Sequence, residues 1–362
     1  MTKCLTMAFL LSATSVYAQL SDQLDSLMQA TIPADRPGAA LLVVVDGKAV
    51  YQKGYGLANQ KTKAAISPKT NFRMASVSKQ FTAMGILLLE KDRKLSLDDP
   101  LIRFFPEWQP TVGKKVRISH LLTHTSGVLD YESVMNSNQK EQLLDADVLR
   151  LLKDQDSVYF EPGSQFRYSN SAYCLLALLI ERVSGLSFAT FIKQRIFQPL
   201  HMTESVVYEA GKPIPNRAMG YRKQGNAYVF SDQSLTSATK GDGGVYTSLT
   251  DYRKWIEALQ TNTLLNLNAV LARTGKAIRS YRSSYYGAGW FYQQPASPIL
   301  FHSGTTCGFN NFVVSIPSSR FLMAYFSNRA DNKANAEAVI RILAKALQPE
   351  ISNILALDEL TQ

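Results

Sequence analysis

Cysteine is scarce in this chain of 362 residues, with three in all: Cys4, Cys174 and Cys307. That is too few for a disulfide framework, so the fold must rest on a buried core, which a chain of this length can build unaided. Cys174 lies in an apolar helical run, the setting of a small buried hydrophobe, and it and Cys307 are both expected to be free. Histidine is nearly as rare, with His120, His124, His201 and His302 only. His120 and His124 have the spacing of two zinc ligands on a helix. The Leu-Leu-Thr between them supplies no glutamate base, however, and Thr125-Ser126-Gly127 reads as a turn. No metal and no cofactor is expected. Charged residues make up 19% of the chain, below the usual ~25%, while the 46% of hydrophobic residues fits a folded globular protein. The formal net charge of +10 is scattered. Its densest cluster, Lys114-Lys115-Val116-Arg117, is short and has no interleaved aromatics, so a solvated basic surface is expected and no nucleic-acid partner. Also missing, beyond the N-terminal leader described next, is an apolar run of the ~20 residues that a bilayer span requires.

What is present begins with a leader. Lys3 is followed by an apolar stretch from Met7 to Val16 and then by Val16-Tyr17-Ala18. Small residues three and one positions before the cut suit cleavage after Ala18. Residues 1–18 are therefore expected to be a signal peptide, and the mature chain to be secreted, to the periplasm or cell envelope, with no transmembrane segment.

The length suits about two domains of roughly 150 residues each. Gly38 to Val45 and Lys48 to Leu57 flank Asp46-Gly47, a strong hairpin signal. Val77 to Arg93 reads as a helix that is apolar on most sides and hence central. The stretch 86–200 is helix-like with polar loops, and within it Ala172 to Val183 is a second apolar helix stopped by Gly185. Ala288 to Gln293, Pro298 to His302, Phe309 to Ile316 and Phe321 to Ser327 read as strands. An Ala-rich helix over Asn332 to Leu347 closes the pattern. The expected fold is α+β: an antiparallel sheet flanked by N- and C-terminal helices, with an inserted all-helical domain. Residues 19–85 and 201–362 would build the first domain and 86–200 the second, with the active site between them.

Three short motifs carry chemistry. Ser76-Val77-Ser78-Lys79 puts a hydroxyl and an amine on one helical face. A serine becomes a useful nucleophile when a neighbouring base takes its proton, and the start of a helix offers backbone N–H groups to a developing oxyanion. Ser-x-x-Lys recurs at 137–140 and 237–240, but only Ser76 opens a buried helix; the others lie in a polar stretch and before a Gly-rich turn. Tyr168-Ser169-Asn170 follows the turn signal Glu161-Pro162-Gly163, and of the 17 tyrosines only Tyr168 has Asn two residues on. A phenol beside an ammonium can act as general base, and the Asn amide can hold a substrate carbonyl. His302-Ser303-Gly304 ends one apolar strand, and Thr305-Thr306-Cys307-Gly308 leads into the next. Lys223-Gln224-Gly225 and Arg273-Thr274-Gly275 share the basic-x-Gly pattern, but read as a hairpin turn and a helix end. A strand can offer its backbone to an extended substrate, and Gly304 would permit close approach.

In this order, and on these elements, the motifs resemble the serine β-lactamase and penicillin-binding fold. The Tyr-x-Asn element narrows the resemblance to the class C β-lactamase, D-alanyl-D-alanine carboxypeptidase and esterase branch. The likeness runs from about Pro37 to about Leu347. It includes Leu121-Leu122-Thr123-His124-Thr125-Ser126-Gly127, Ile196 to Met202, and Gly241-Asp242-Gly243-Gly244 ahead of Asp251 to Trp255. It implies Ser76 as acylated nucleophile, with Lys79 and Tyr168 as the proton-transfer pair. It also implies Asn170, His302, Ser303, Gly304 and Thr305 at the substrate, and the backbone N–H groups of Ser76 and Thr305 as oxyanion hole. His124 is then structural. The chain departs from the family at His302, where β-lactamases and carboxypeptidases usually carry lysine. That weakens the expected grip on a substrate carboxylate and favours a peptidase or esterase acting on small amide or ester bonds, such as D-amino acid peptides. A β-lactamase or D,D-carboxypeptidase is the alternative, and a penicillin-binding sensor without turnover is the alternative of another class. The expected partner is a small peptide, ester or β-lactam, and the sequence sets no oligomeric state.

Overall fold

A computed structural model describes residues 2–136, 138–274, 284–293 and 298–356. Helix α1 (Thr2–Thr31) precedes a seven-stranded sheet. Its second half buries Leu20, Leu24 and Met28, one residue per turn on a single stripe continued by Ile32 just past its end, against β2 and the C-terminal helix. The hairpin of β1 (Ala39–Val45) and β2 (Lys48–Tyr55) turns at Asp46-Gly47, whose φ angles of 51° and 78° suit a tight turn of the type favoured between twisted strands. The other strands are β3 (Tyr285–Gly287), β4 (Trp290–Gln293), β5 (Ile299–Thr306), β6 (Phe309–Ile316) and β7 (Phe321–Ser327). They pair antiparallel in the order β3-β4-β5-β6-β7-β1-β2. The chain's two ends thus meet where β1 pairs with β7. Strands β1, β6 and β7 are buried along their whole length, because both faces of the sheet are covered.

Between the two groups of strands run α2 (Lys79–Lys91), α3 (Asp145–Leu152), α4 (Asn170–Ser184) and α5 (Leu249–Gln260); α6 (Lys333–Ala346) follows the sheet. Helix α2 is buried from Lys79 to Leu89 and packs on α4, which accounts for the lack of a polar face in either. The Phe81 ring lies 4.6 Å from that of Trp255 on α5, tying α2 to the helix that covers the sheet. Gly185 ends α4 in the left-handed conformation, at φ 72°.

Two local expectations change. The helix expected from Val77 starts at Lys79, and Ala75–Ser78 forms a 3₁₀ turn before it. The strand expected to stop at His302 runs on to Thr306, because β6 pairs with it residue by residue as far as Thr306 opposite Phe309. His302-Ser303-Gly304 therefore lies inside a strand. Strand β4 pairs with β5 only as far as Phe301, so this inner segment has no strand on that side among the described residues.

Candidate active site

Ser76 sits in the 3₁₀ turn, and the residue before it, Ala75, has φ 49°. A positive φ is uncommon in a residue with a side chain. Here it reverses the chain between the short strand Phe72–Arg73 and α2, leaving Ser76 only partly covered at the mouth of the helix. Gly304 of β5 backs this turn: a Cβ there would stand 2.2 Å from the Met74 carbonyl oxygen. The close approach that requires glycine is therefore made to the turn that carries Ser76. Gly304→Ala is expected to lower the Tm by about 5 °C or more, since strand or turn must shift. An unchanged melting curve would show that the two separate easily.

Lys79, one turn along, is fully buried. Its ammonium donates to Ser76 Oγ (3.1 Å), Asn170 Oδ1 (2.9 Å) and the Asp242 carbonyl (3.0 Å). Lysine has three donors, and all are committed. Two chain segments reach it because Ser169 caps α4, accepting from the Ala172 N–H, so that Tyr168 and Asn170 flank the cap at the helix start. The Tyr168 ring lies under the ammonium, 4.9 Å from Nζ to the ring centre. Its hydroxyl is buried and has no hydrogen-bond partner among the described residues. Hydroxyl and amine are therefore joined by a hydrogen bond, whereas amine and phenol meet through the ring face. Nothing remains on Lys79 to donate to the phenol.

Below Tyr168 lie aromatic rings: Phe291 is nearly parallel at 6.1 Å, and His124 is 4.3 Å away. His124 accepts the Ser169 N–H at Nδ1 (3.1 Å), and His120 accepts the Arg117 N–H (3.2 Å), so both support backbone. Burial, and then the Lys79 charge, hold the His124 imidazole well below its ordinary range.

His302 is buried. Its Nδ1–H donates to the Ser303 carbonyl (2.6 Å), which leaves Nε2 to accept from the Tyr286 hydroxyl (3.1 Å). Burial pushes the imidazole down to about 3, with the Ser303 bond opposing and the Lys79 charge adding to the shift. His302 is thus neutral throughout the physiological range and presents no positive charge to a ligand.

The open space at Ser76 is a polar cleft of about 80 Å³, walled by Ser76, Asn170, Thr305, Glu132, Arg73 and Asp242 among others. Of the sequence-predicted residues, Ser76, Asn170 and Thr305 face it, while His302 and Gly304 are buried behind. Ser303 lines a separate small cavity against α6, near Lys333 and Glu337. Ser237, of the third Ser-x-x-Lys, receives Arg73 at its carbonyl, and Ser137 lies outside the described residues. Lys223-Gln224-Gly225 is the turn of a hairpin, and Arg273-Thr274 ends a helix, with Gly275 outside the described residues. Both Cys174 and Cys307 are free.

Sequence reasoning missed Glu132, Asp145 and the carbonyl of Asp242. Glu132 keeps part of its surface in solvent, but its carboxylate accepts from Asn170 Nδ2 (3.0 Å) at the cleft wall. Desolvation raises it above the usual carboxylate range, the Asn170 bond opposes, and Asp242 and Asp130 add to the rise. Asp242 belongs to the Gly-Asp-Gly-Gly stretch that the sequence did mark. No local signal marks Glu132 or Asp145, which matter only through what they meet.

The chain as a whole is similar to known proteins. Over 319 residues the chain is 31% identical to penicillin-binding protein 4* of Bacillus subtilis (strain 168), covering 83% of this chain and 70% of that protein. It is 29% identical over 318 residues to protein flp of Staphylococcus aureus (strain MRSA252), covering 84% of this chain but only 62% of that relative's length. The solved structure of D-amino acid amidase from Ochrobactrum anthropi SV3 complexed with L-phenylalanine amide superposes with a TM-score of 0.76 at 22% identity, over 92% of this chain and 100% of that one; this likeness shows the fold. The beta-lactamase family model matches residues 24–348. With that span enclosing the Ser76–Lys79 pair, the Tyr168 loop and the His302 strand, the chain belongs to the beta-lactamase family and has the β-lactamase/transpeptidase fold.

Proposed function

We propose that this protein is a serine hydrolase that cleaves small amide or ester bonds beside a free amino group, as in D-amino acid amides and short D-peptides, through an acyl-enzyme on Ser76. One observation supports this reading above others. The cleft at Ser76 carries the Glu132 carboxylate, while position 302, where the resemblance to β-lactamases and carboxypeptidases leads one to expect lysine, is filled by a buried, neutral histidine. Arg73 also borders the cleft, with its guanidinium held by the neutral Ser237 carbonyl (2.7 Å) and Gln233 Oε1 (3.3 Å). A substrate ammonium therefore finds a carboxylate at the cleft wall, whereas a substrate carboxylate finds no cation at position 302 and only a guanidinium already tied to other partners. The D configuration is proposed after the name of the D-amino acid amidase whose fold this chain shares.

In the proposed reaction Lys79 acts as the neutral amine: Ser76 Oγ attacks the carbonyl as Lys79 Nζ takes its proton, and that proton is passed on to the leaving group, with Tyr168 as the second member of the proton-transfer pair. The oxyanion lies between the backbone N–H groups of Ser76 and Thr305, which border the same cleft. The C–N or C–O bond breaks as the leaving group takes a proton, and water then releases the acid and frees Ser76. We further propose that residues 1–18 are removed and that the enzyme works outside the cytoplasm, a reading supported by the order of charge, apolar stretch and small residues. N-terminal sequencing of exported protein should begin at Gln19.

The test is a substrate panel: D-alaninamide, its N-acetyl form, a neutral short-chain aryl ester and a chromogenic cephalosporin. The free amine should exceed the N-acetyl form in kcat/KM by at least about tenfold, the value of one charge-assisted contact. Glu132→Gln should erase most of that preference, chiefly through KM, and cost the neutral ester far less. A clear preference for the cephalosporin would replace this reading with the β-lactamase alternative.

A further inference from the structure

Asp145 lies in the first turn of α3, remote in sequence from every motif, and is almost completely buried. Its carboxylate accepts the Lys240 N–H at both oxygens (3.1 and 3.0 Å) and the Gly241 N–H at Oδ1 (3.1 Å). The next residue in that loop is Asp242, whose carbonyl takes the third hydrogen bond of Lys79. The loop is held from the other side as well. Thr82 of α2 donates to the Gly241 carbonyl (2.7 Å), and a Cβ on Gly241 would stand 2.2 Å from the Tyr173 carbonyl oxygen of α4. No slack remains between carboxylate, loop and ammonium.

We propose that Asp145 is a positioning residue for Lys79: it grips the backbone of Lys240 and Gly241 so that the Asp242 carbonyl meets the ammonium and aims it at Ser76. This rests on the reading of Ser76 as nucleophile with Lys79 in its proton path. The groups facing Asp145 are Asp242 and Lys240 in the loop and Cys174 on α4; Lys79 on α2 and Glu132 lie further along the same charged cluster. Burial, followed by the Asp242 charge, lifts the Asp145 carboxyl to about 7, against the opposing bonds from Gly241 and Lys240. The grip therefore changes strength at neutral pH. As a carboxylate, Asp145 makes charge-assisted bonds, roughly twice as strong as neutral ones; once protonated, it holds the loop less firmly.

Activity and stability should respond with opposite signs. The folded value lies above the ordinary carboxylate value, so ionising Asp145 costs the folded state. That cost grows as pH rises from about 4 to about 7 and is constant above. Catalysis gains over the upper part of the same interval.

The experiment compares wild type, Asp145→Asn and Asp145→Glu in the full chain, by the rate of fluorophosphonate labelling at Ser76, by kcat and KM on the aryl ester, and by Tm, each between pH 4 and 9. Asp145→Asn imitates the protonated form. It should lower kcat about tenfold with KM within about twofold, remove the inflection near neutrality from the labelling profile, and gain in Tm relative to wild type as pH rises. Asp145→Glu keeps a carboxylate on a longer arm, so its kcat should fall between the two and its inflection should move. If Asp145→Asn does not fold, the Glu variant decides alone: an unmoved inflection overturns the proposal. So do an unchanged kcat and pH profile in a folded Asn variant. Wild type that is not labelled at Ser76 would instead overturn the functional reading, a separate outcome.

Discussion

Ser76→Ala should abolish covalent labelling by a fluorophosphonate and lower turnover of every substrate by about 10,000-fold or more, the usual scale for loss of an activated nucleophile. The size of the effect follows from the geometry. Ser76 Oγ is the hydroxyl bonded to Lys79 Nζ, and it opens onto the polar cleft. The fold should persist, because Ser76 is only partly covered and its side chain supports no strand or helix. Intact-mass analysis after labelling checks the first point and circular dichroism the second. A Ser76→Ala protein that still acquires the label at a single site would move the nucleophile elsewhere.

Lys79→Met is expected to be nearly as damaging to activity, about 1,000-fold in kcat, while raising the Tm by a few degrees. Lys79 is fully buried, and its ammonium is held by three neutral oxygens and the faces of the Tyr168 and Tyr173 rings, with no ion pair among the described residues. Burying a charge without an opposite charge is costly. Methionine fills similar space among the Tyr168 and Tyr173 rings without that cost. It cannot take the Ser76 proton, and it leaves Asn170 Oδ1 and the Asp242 carbonyl without their donor. Activity and stability should therefore part company, as expected for a residue retained for chemistry. A Lys79→Met enzyme with kcat within tenfold of wild type would show that the proton leaves by another route, and the unpartnered Tyr168 hydroxyl would be the group to examine.

The elements that position the site were legible wherever local pattern decides structure. The alternating and continuous apolar runs of Phe309–Ile316 and Phe321–Ser327 coincide with strands, and the Gly185 stop coincides with the end of α4. Asp46-Gly47 marked its hairpin. Reading failed where a partner overrides local preference. His302-Ser303-Gly304 has the look of a strand end, yet β6 carries the ladder onward to Thr306. Ser303 lines the small cavity beneath α6 rather than the cleft, because α6 packs there, a neighbour that one strand's sequence does not contain.

By itself the sequence determined the chemical inventory and its order along the chain: a serine and a lysine one helical turn apart, a tyrosine and an asparagine flanking a helix cap, and a histidine two residues before a glycine on a strand. These are properties of side chains and of local periodicity. The tertiary structure alone decided their electrical state and company. It buried His302 until it became neutral, gave all three Lys79 donors to oxygens drawn from three separate segments, left the phenol without a hydrogen bond among the described residues, and brought Glu132 and Asp145 to the cleft and its loop. Charge in a protein is set by burial and by neighbours distant in sequence, and those exist only once the chain has closed on itself.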